Sequence, residues 1–337
     1  MMWFAKRVAR SLFTILVVIH LSFVVIHYLP GGPLTYLRSQ LETSGVTVGE
    51  AQMQAMAQSY LNMNPEEGLV TSYLDYMSSL LQGNLGRSIS TGDPVIEILA
   101  QAIPWTVFLM FTAITISFTV GIALGSLMAY LEGSRFDSVA TVVSICLNSV
   151  PYYLIGILLV YILGYIYGVF PISGKYAGTK VTAGLNLPFI MSVLYHATLP
   201  VFSWALYGFG GWALAMRGNS IRVLGEGYMR VGRLRGLPTH RLAINYVGRN
   251  AILPLYTNIL IIVGSAFGGA VVLETIFVYR GMGYFLLQAV RANDYPLMMG
   301  SFILIVTAVM AALLFAELTY GKLDPRAQEG GANNEAY

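Results

Sequence analysis

The chain has 337 residues, of which 56% are hydrophobic and only 10% are charged, and its mean hydropathy is +0.66. A soluble globular protein carries about 25% charged residues, so this composition excludes a soluble domain and predicts an integral membrane protein. The formal net charge is only +3, so the distribution of charge is more informative than its total. A single cysteine, Cys146, excludes an internal disulfide and a cysteine-based zinc site, and its apolar surroundings predict a small buried packing residue.

The first apolar run extends from Leu12 to Leu29 and follows three basic residues. A cleaved signal peptide would have an apolar region of roughly 7–15 residues and a small-residue cleavage site. This run is longer and ends in a Pro-Gly-Gly-Pro sequence. Residues 1–29 are therefore predicted to be a cytoplasmic tail and an uncleaved first transmembrane helix.

Residues 30–104 form a long polar stretch with two basic and seven acidic residues, a balance of −5. This balance fits a location outside the cytoplasm, although acidic residues are weak topology signals. Glu50 to Leu61 and Pro65 to Leu81 are predicted to be helices. The second segment opens with a proline and two glutamates, which suit a helix N-terminus. The stretch is predicted to be a small extracytoplasmic helical segment, too small to be the main substrate receptor.

Five further apolar runs are each long enough for the roughly 20 residues that a bilayer crossing needs. Backbone groups in lipid must be hydrogen-bonded within their own segment, so these runs are predicted to be helices. Pro151 is expected to kink the third span, while Gly121 and Gly125 have a spacing that lets two helices approach closely. The five predicted spans are Trp105–Tyr130, Ser138–Tyr167, Met191–Met216, Ala251–Ile276 and Pro296–Leu318.

The predicted fold is an all-α polytopic membrane protein with six transmembrane helices and both termini in the cytoplasm. Lysines and arginines near each end of the chain agree with this topology. Residues 105–326 are expected to form a five-helix transmembrane core with a cytoplasmic loop at 217–250. The polar tail, residues 327–337, is predicted to be disordered.

The loop at 217–250 holds seven arginines against one acidic residue, Glu226. Loops this rich in arginine stay on the cytoplasmic side, because their translocation is costly. The pattern predicts two short helices, Glu226 to Leu234 and Pro238 to Val247, joined by a hinge at Gly236. Glycine can adopt a positive φ at such a hinge, and proline readily starts the next helix.

Glu226, Gly236 and an Ile-Leu-Pro sequence ending at Pro254 resemble the cytoplasmic EAA motif of binding-protein-dependent ABC transporter permeases. One departure is that the alanines after the glutamate are Gly227 and Tyr228 here, so the first helical turn is expected to be looser. An ordinary basic cytoplasmic loop is the alternative, but further matches to the dipeptide, oligopeptide and nickel branch favour the family. These matches include Leu85-Gly86-Arg87-Ser88, Arg235-Gly236-Leu237, Asp294-Tyr295-Pro296 and Leu323-Asp324-Pro325-Arg326.

The resemblance implies a permease subunit of an ATP-driven importer in the cell membrane, forming half of the pore for peptides that a binding protein delivers. Oligosaccharides and nickel chelates are the alternative substrates, because similar permeases carry all three. The implied partners are two cytoplasmic ATPase subunits, a second homologous permease subunit, an extracytoplasmic solute-binding protein and membrane lipid. The residues expected to contact the ATPase are Glu226, Tyr228, Arg230, Leu234, Arg235 and Gly236.

The sequence contains no motif for catalysis or for a bound cofactor. A G-x-x-x-x-G-K-[ST] phosphate loop and an H-E-x-x-H metal motif are absent, and the four histidines are scattered. The chain is therefore expected not to be an enzyme and to bind no metal, cofactor or nucleic acid. Two alternative classes are a secondary transporter or channel and a non-transporting membrane anchor. The transporter is disfavoured because it would need ionisable residues within its spans, and these spans hold almost none. Glu274 is equally consistent with a pore-mouth role and with a structural cap at the fifth helix end.

Overall fold

The computed structural model describes residues 2–28, 38, 42, 49–62, 68–178, 181–238 and 241–323. Within these residues the chain is helical and holds no β-strand, only an isolated bridge between Arg87 and Pro94. Two of the helical segments are π-helical, Val160–Ile166 and Leu242–Gly248. The α-helices are α1 (Met2–Tyr28), α2 (Glu50–Leu61), α3 (Leu69–Leu81), α4 (Val95–Tyr130), α5 (Arg135–Ser149), α6 (Tyr152–Leu159), α7 (Leu187–Leu224), α8 (Gly227–Leu234), α9 (Arg249–Ile276), α10 (Met282–Arg291) and α11 (Tyr295–Leu323).

Five helices in the described part of the chain are long and apolar enough to cross a membrane. The number becomes six when α5 and α6, which meet at a bend, are counted as one broken span. The all-α polytopic class is therefore confirmed, and the predicted six spans correspond to the larger count. The cytoplasmic location of both termini stays a prediction, and residues 327–337 lie outside the described residues.

The third predicted span differs most from the expectation of a single kinked helix. The two helical pieces Arg135–Ser149 and Tyr152–Ile166 meet at 93°. Pro151 is the N-cap residue of α6, and Val150 before it is extended at φ −90° and ψ 121°. Proline disfavours the helical conformation in the residue that precedes it. The helix therefore ends at Ser149 and a new one begins, instead of bending around the proline.

The helix boundaries in residues 30–104, the predicted extracytoplasmic segment, also differ from the expectation. Helix α2 has the predicted bounds, but α4 begins at Val95 rather than Trp105, so the last part of 30–104 is helical. Pro104 lies within α4, where the sequence analysis placed the boundary. Helix α3 begins at Leu69, and the predicted start at Pro65 lies outside the described residues.

The chain divides into two compact units. The first comprises Met1–Val107 and Phe267–Leu314, and its core packs the start of α4 against α10 and α11 through apolar residues. The second comprises Phe108–Ala266 and Phe315–Tyr337, and its core is centred on α7. The buried residues of these two cores are Val95, Leu99, Ala102, Met282, Leu286, Ala289, Leu297 and Ile305 in the first unit, and Met128, Ala140, Trp212, Ala213, Met216, Ala251 and Leu255 in the second.

Helices α4 and α7 touch backbone to backbone in the second unit. A Cβ on Gly121 would lie 2.8 Å from the Phe209 carbonyl oxygen, and one on Gly125 would lie 2.8 Å from the Met216 Cβ. The close approach predicted from the glycine spacing is confirmed. Cys146, by contrast, is exposed on α5 rather than buried, so the prediction of a buried packing residue is wrong. A membrane helix can direct apolar side chains to lipid, so burial within the chain is not required.

Candidate functional site

The segment between α7 and α9, residues 225–248, contains α8, a turn and the second π-helical segment, and we call it the α8 segment. Glu226 occupies the N-cap position of α8 with extended backbone, at φ −70° and ψ 145°. Its exposed side chain makes no capping hydrogen bond, while its carbonyl accepts the Met229 N–H at 3.0 Å. The carboxylate nevertheless lies beside the positive end of the helix dipole, where a negative charge is favourable.

Helix α8 ends in a Schellman motif at the predicted hinge. Gly236 has φ +68°, its N–H donates to the Arg233 carbonyl at 3.0 Å, and the Leu237 N–H donates to the Gly232 carbonyl at 3.2 Å. This motif satisfies carbonyls at the helix end and requires a left-handed residue, a conformation that glycine adopts without steric cost. No atom lies within 4 Å of a Cβ built on Gly236, so conformation rather than space selects glycine. The predicted positive φ is confirmed.

The inward face of α8 packs on the π-helical segment Leu242–Gly248. Met229 is only 1% exposed and forms a buried cluster with Leu242 and Val247. A Cβ on Gly232 would lie 2.8 Å from the Leu242 Cδ2, so this glycine lets the two elements approach closely. These contacts attach α8 to the segment that leads directly into α9.

The outward face of α8 carries apolar and basic side chains. Val231 is 53% exposed and Leu234 is 81% exposed, and Arg230 lies one turn before Leu234 on the same face. Tyr228, 41% exposed, lies at the edge of this face, and its ring centroid is 6.5 Å from that of Tyr246. Aromatic residues and arginine are enriched at protein interfaces, so this face has the composition of a contact surface.

All six residues predicted to contact an ATPase are exposed in this structure and lie in or beside α8. Arg235 is the C-cap residue, Gly236 follows it in the turn, and Glu226 precedes the helix. Contact with an ATPase stays a prediction. Val231 was not among the predicted contact residues, and its spacing of three from both Tyr228 and Leu234 is the signal that could have placed it with them.

Arg217, the first arginine of the predicted loop 217–250, lies inside α7 instead. Its Nε and Nη2 donate to the two carboxylate oxygens of Asp137 at 2.6 and 2.8 Å. The Gly133 N–H also donates to this carboxylate at 3.0 Å, and the Ser134 hydroxyl caps α5 by accepting the Asp137 N–H at 3.1 Å. A two-pronged arginine–carboxylate pair is the stronger kind of ionic hydrogen bond. It joins the start of α5 to α7, so this arginine is structural.

Glu274 in the first unit is a fully buried carboxylate at the end of α9. It accepts the Thr106 hydroxyl at 2.6 Å and the Tyr284 N–H at 2.9 Å, and the Thr106 hydroxyl in turn accepts the Met282 N–H at 2.8 Å. Since Met282 and Tyr284 lie in the first turn of α10, the carboxylate and the hydroxyl together cap that helix. Of the two roles considered for Glu274, the geometry favours the structural cap, although the capped helix is α10 rather than α9.

Two sequence segments that carry the family resemblance meet in the first unit. Asp294 is fully buried and caps α11 by accepting the Leu297 N–H at 3.2 Å. The same carboxylate accepts the Ser88 hydroxyl at 2.5 Å and the Ser90 N–H at 3.0 Å. The turn that precedes α4 is thereby tied to the start of α11. Both segments consequently have a structural explanation.

Comparison with known proteins agrees with this arrangement. The family model described as "Binding-protein-dependent transport system inner membrane component" matches residues 121–329, a range that includes the α8 segment. The oligopeptide transport system permease protein AppB of Bacillus subtilis (strain 168) is 28% identical, with 95% of this chain and 97% of that protein covered. The di/tripeptide transport system permease protein DppB of Pseudomonas aeruginosa (strain UCBPP-PA14) is 29% identical, with 96% and 97% covered. The dipeptide transport system permease protein DppB of Escherichia coli (strain K12) is 28% identical, with 95% and 97% covered.

Proposed function

The chain belongs to the family of binding-protein-dependent transport system inner membrane components, and we propose that it forms half of the translocation pore of an ATP-driven peptide importer. The observation that carries the proposal is the similarity over nearly the whole chain to permeases named for oligopeptides, di/tripeptides and dipeptides. The chain is a multi-pass protein of the cell membrane. Peptides are therefore its proposed substrates, in preference to oligosaccharides or nickel chelates.

The proposed importer contains a second homologous permease subunit, two cytoplasmic ATPase subunits and an extracytoplasmic solute-binding protein. Dependence on a binding protein is part of the family's description, which supports the last of these partners. The ATPase subunits supply the energy, so this chain needs no catalytic residue or cofactor of its own. Selection of the substrate belongs mainly to the binding protein.

We propose that α8 is the element that contacts the ATPase. Its outward face presents Arg230, Val231 and Leu234 to solvent, and its inward face is anchored by Met229. Interfaces concentrate their binding energy in a few side chains, and Leu234 is the most exposed apolar residue of the helix. Glu226, Tyr228, Arg235 and Gly236 surround this face and complete the proposed contact.

The buried contacts of α8 explain how movement of an ATPase reaches the membrane helices. Met229 is packed against Leu242 and Val247 in the π-helical segment that directly precedes α9, and α7 ends at Leu224, two residues before Glu226. A push on α8 therefore acts on both α7 and α9 as a rigid-body displacement, not as a local chemical change. In this mechanism ATP-driven closure of the ATPases alternates the pore between inward-facing and outward-facing states.

Substitution of Leu234 by aspartate tests the proposed contact. Loss of a dominant interface side chain costs about 2 kcal/mol or more, so the complex should retain at least tenfold less ATPase subunit during purification. Leu185→Asp is the matched control, because Leu185 is a fully exposed leucine outside the α8 segment. Normal ATPase retention and normal uptake by the Leu234→Asp complex would contradict the proposed contact.

The substrate class is tested with the complete importer in proteoliposomes. Labelled di- and tripeptides, an oligosaccharide mixture and a nickel chelate are each supplied with the cognate binding protein and ATP. ATP-dependent uptake is expected for the peptides alone. Uptake of sugars or of the nickel chelate without peptide uptake would refute the peptide assignment.

A further inference from the structure

The second unit contains a cavity of about 470 Å³ between four membrane helices. This volume lies within the roughly 300–1,000 Å³ range of small-molecule sites in proteins. Helix α7 supplies most of the wall, with contributions from α4, α5 and α9. The side chains that define its chemistry are Ser117, Asn148, Trp204, Tyr207, Trp212 and Asn258.

Two side-chain amides face this cavity from different helices. Asn148 lies near the end of α5 and Asn258 lies in α9, and both side chains are exposed. Neither amide has a hydrogen-bond partner among the residues that the structure describes. Polar groups inside a membrane are costly unless they face other polar groups or a water-filled cavity. A cavity filled by water or by a polar ligand therefore accounts for their position.

Part of the cavity wall is aromatic. The ring of Tyr152 lies 4.6 Å from that of Trp204 and 6.1 Å from that of Tyr207, measured between ring centroids. Trp212 lies further along α7 and packs edge to face on Phe118 at 5.0 Å. These contacts hold the aromatic rings in place, so the cavity combines a rigid apolar wall with two amides that can donate and accept hydrogen bonds.

Two glycines on α7 leave space for polar side chains at the cavity wall. A Cβ on Gly211 would lie 2.9 Å from the Asn148 Oδ1, and one on Gly208 would lie 3.1 Å from the Ser117 Oγ. Both distances are short for a real contact, so any larger residue would displace the polar group that it meets. The glycines consequently keep the amide and the hydroxyl at the cavity wall.

We infer that this cavity is a peptide-binding station in the translocation pathway, where Asn148 and Asn258 bond to peptide backbone amides and the aromatic wall receives the side chains. The inference rests on the proposed transport of peptides and adds the residues that contact them. A carboxamide matches the paired donor and acceptor of a peptide group. No charged side chain lines the cavity within the described residues, so recognition there depends on the neutral backbone rather than on peptide charge.

The first test measures transport by the complete importer in proteoliposomes with a labelled tripeptide at saturating binding protein. Asn148→Leu and Asn258→Leu remove an amide at similar volume, and each should slow ATP-dependent uptake by about fivefold to tenfold, the effect of losing one hydrogen bond. Gly211→Ala should have a similar effect by displacing Asn148.

The first control is Gly218→Ala, because Gly218 lies on the same helix and no atom lies within 4 Å of a Cβ built on it. The second is Thr198→Val, because the Thr198 hydroxyl donates to a carbonyl of its own helix. Retention of the ATPase subunits and basal ATP hydrolysis should be unchanged in all five variants.

The second test locates the peptide directly. A tripeptide with a photoreactive diazirine side chain, delivered by the binding protein during ATP turnover, should label α7 between Trp204 and Trp212. The inference is wrong if the wild-type complex imports peptide, the amide variants import it at the same rate, and labelling occurs only outside the cavity. The proposed transport function would still stand in that case. If the wild-type complex imports no peptide, both the proposed function and the peptide-binding station are refuted. The wild-type measurement alone identifies that case.

Discussion

Substitution of Gly236 is expected to impair transport through backbone strain. The residue has φ +68°, and no atom of this chain lies within 4 Å of a Cβ built on it, so a Cβ there would meet no neighbour within the chain. A residue with a Cβ loses roughly 1–2 kcal/mol in the left-handed conformation. A β-branched residue is expected at the upper end of the roughly 1–3 kcal/mol range for strained backbone.

The size of this strain decides what the variant does. A cost of about 2 kcal/mol shifts the population of the turn by roughly thirtyfold, because each 1.4 kcal/mol is a factor of ten. When the turn opens, the Leu237 N–H loses its bond to the Gly232 carbonyl, and α8 is no longer held at its present angle. The strain is local and small, so the membrane helices should stay folded while α8 is misplaced.

The assay compares three substitutions at Gly236 in the complete importer, by ATP-dependent peptide uptake and by thermal unfolding of the purified complex. Uptake should fall in the order asparagine, alanine, valine, because asparagine tolerates the left-handed conformation best. Gly218→Ala is the matched control, since that glycine is helical, has open space around it, and should gain up to about 1 kcal/mol. Wild-type uptake by the assembled valine variant, or equal loss with asparagine and valine, would refute the reasoning.

Three further predictions concern topology and internal contacts. In a background without the native cysteine, Leu185→Cys should react with an impermeant maleimide on intact cells, whereas Arg241→Cys, at an exposed position of the α8 segment outside the proposed ATPase contact, should react only after permeabilisation; equal reaction on intact cells would contradict the topology. Glu274→Leu should lower the unfolding temperature, because a hydrogen bond to a charged group contributes about 1.5–3 kcal/mol and two donors would lose their acceptor; an unchanged melting curve would exclude the capping role. Arg217→Ala and Asp137→Ala should each destabilise the protein, and the double variant by less than their sum; additive effects would mean that the pair is not coupled.

Much of the fold could be predicted from the sequence, because a bilayer imposes strict local requirements. Apolar runs of spanning length must be helical, so the all-α polytopic class follows from the composition of each run. The bounds Glu50 to Leu61 and the positive φ of Gly236 were also predictable, because each depends on residues within one or two helical turns. The α8 segment was identified for the same reason, from an ordered pattern in one continuous stretch.

The tertiary structure decided the features whose partners lie far apart in the chain. Asp137 meets Arg217 across 80 residues and Thr106 meets Glu274 across 168, and no local pattern relates either pair. Proline at 151 predicted a bend, but its size of 93° depends on how α5 and α6 each pack against α7. The cavity in the second unit likewise exists only because Asn148 and Asn258 come from different helices. Helix formation is governed by neighbouring residues, whereas the partners of a buried polar group are chosen by packing between elements, and packing is a property of the whole fold.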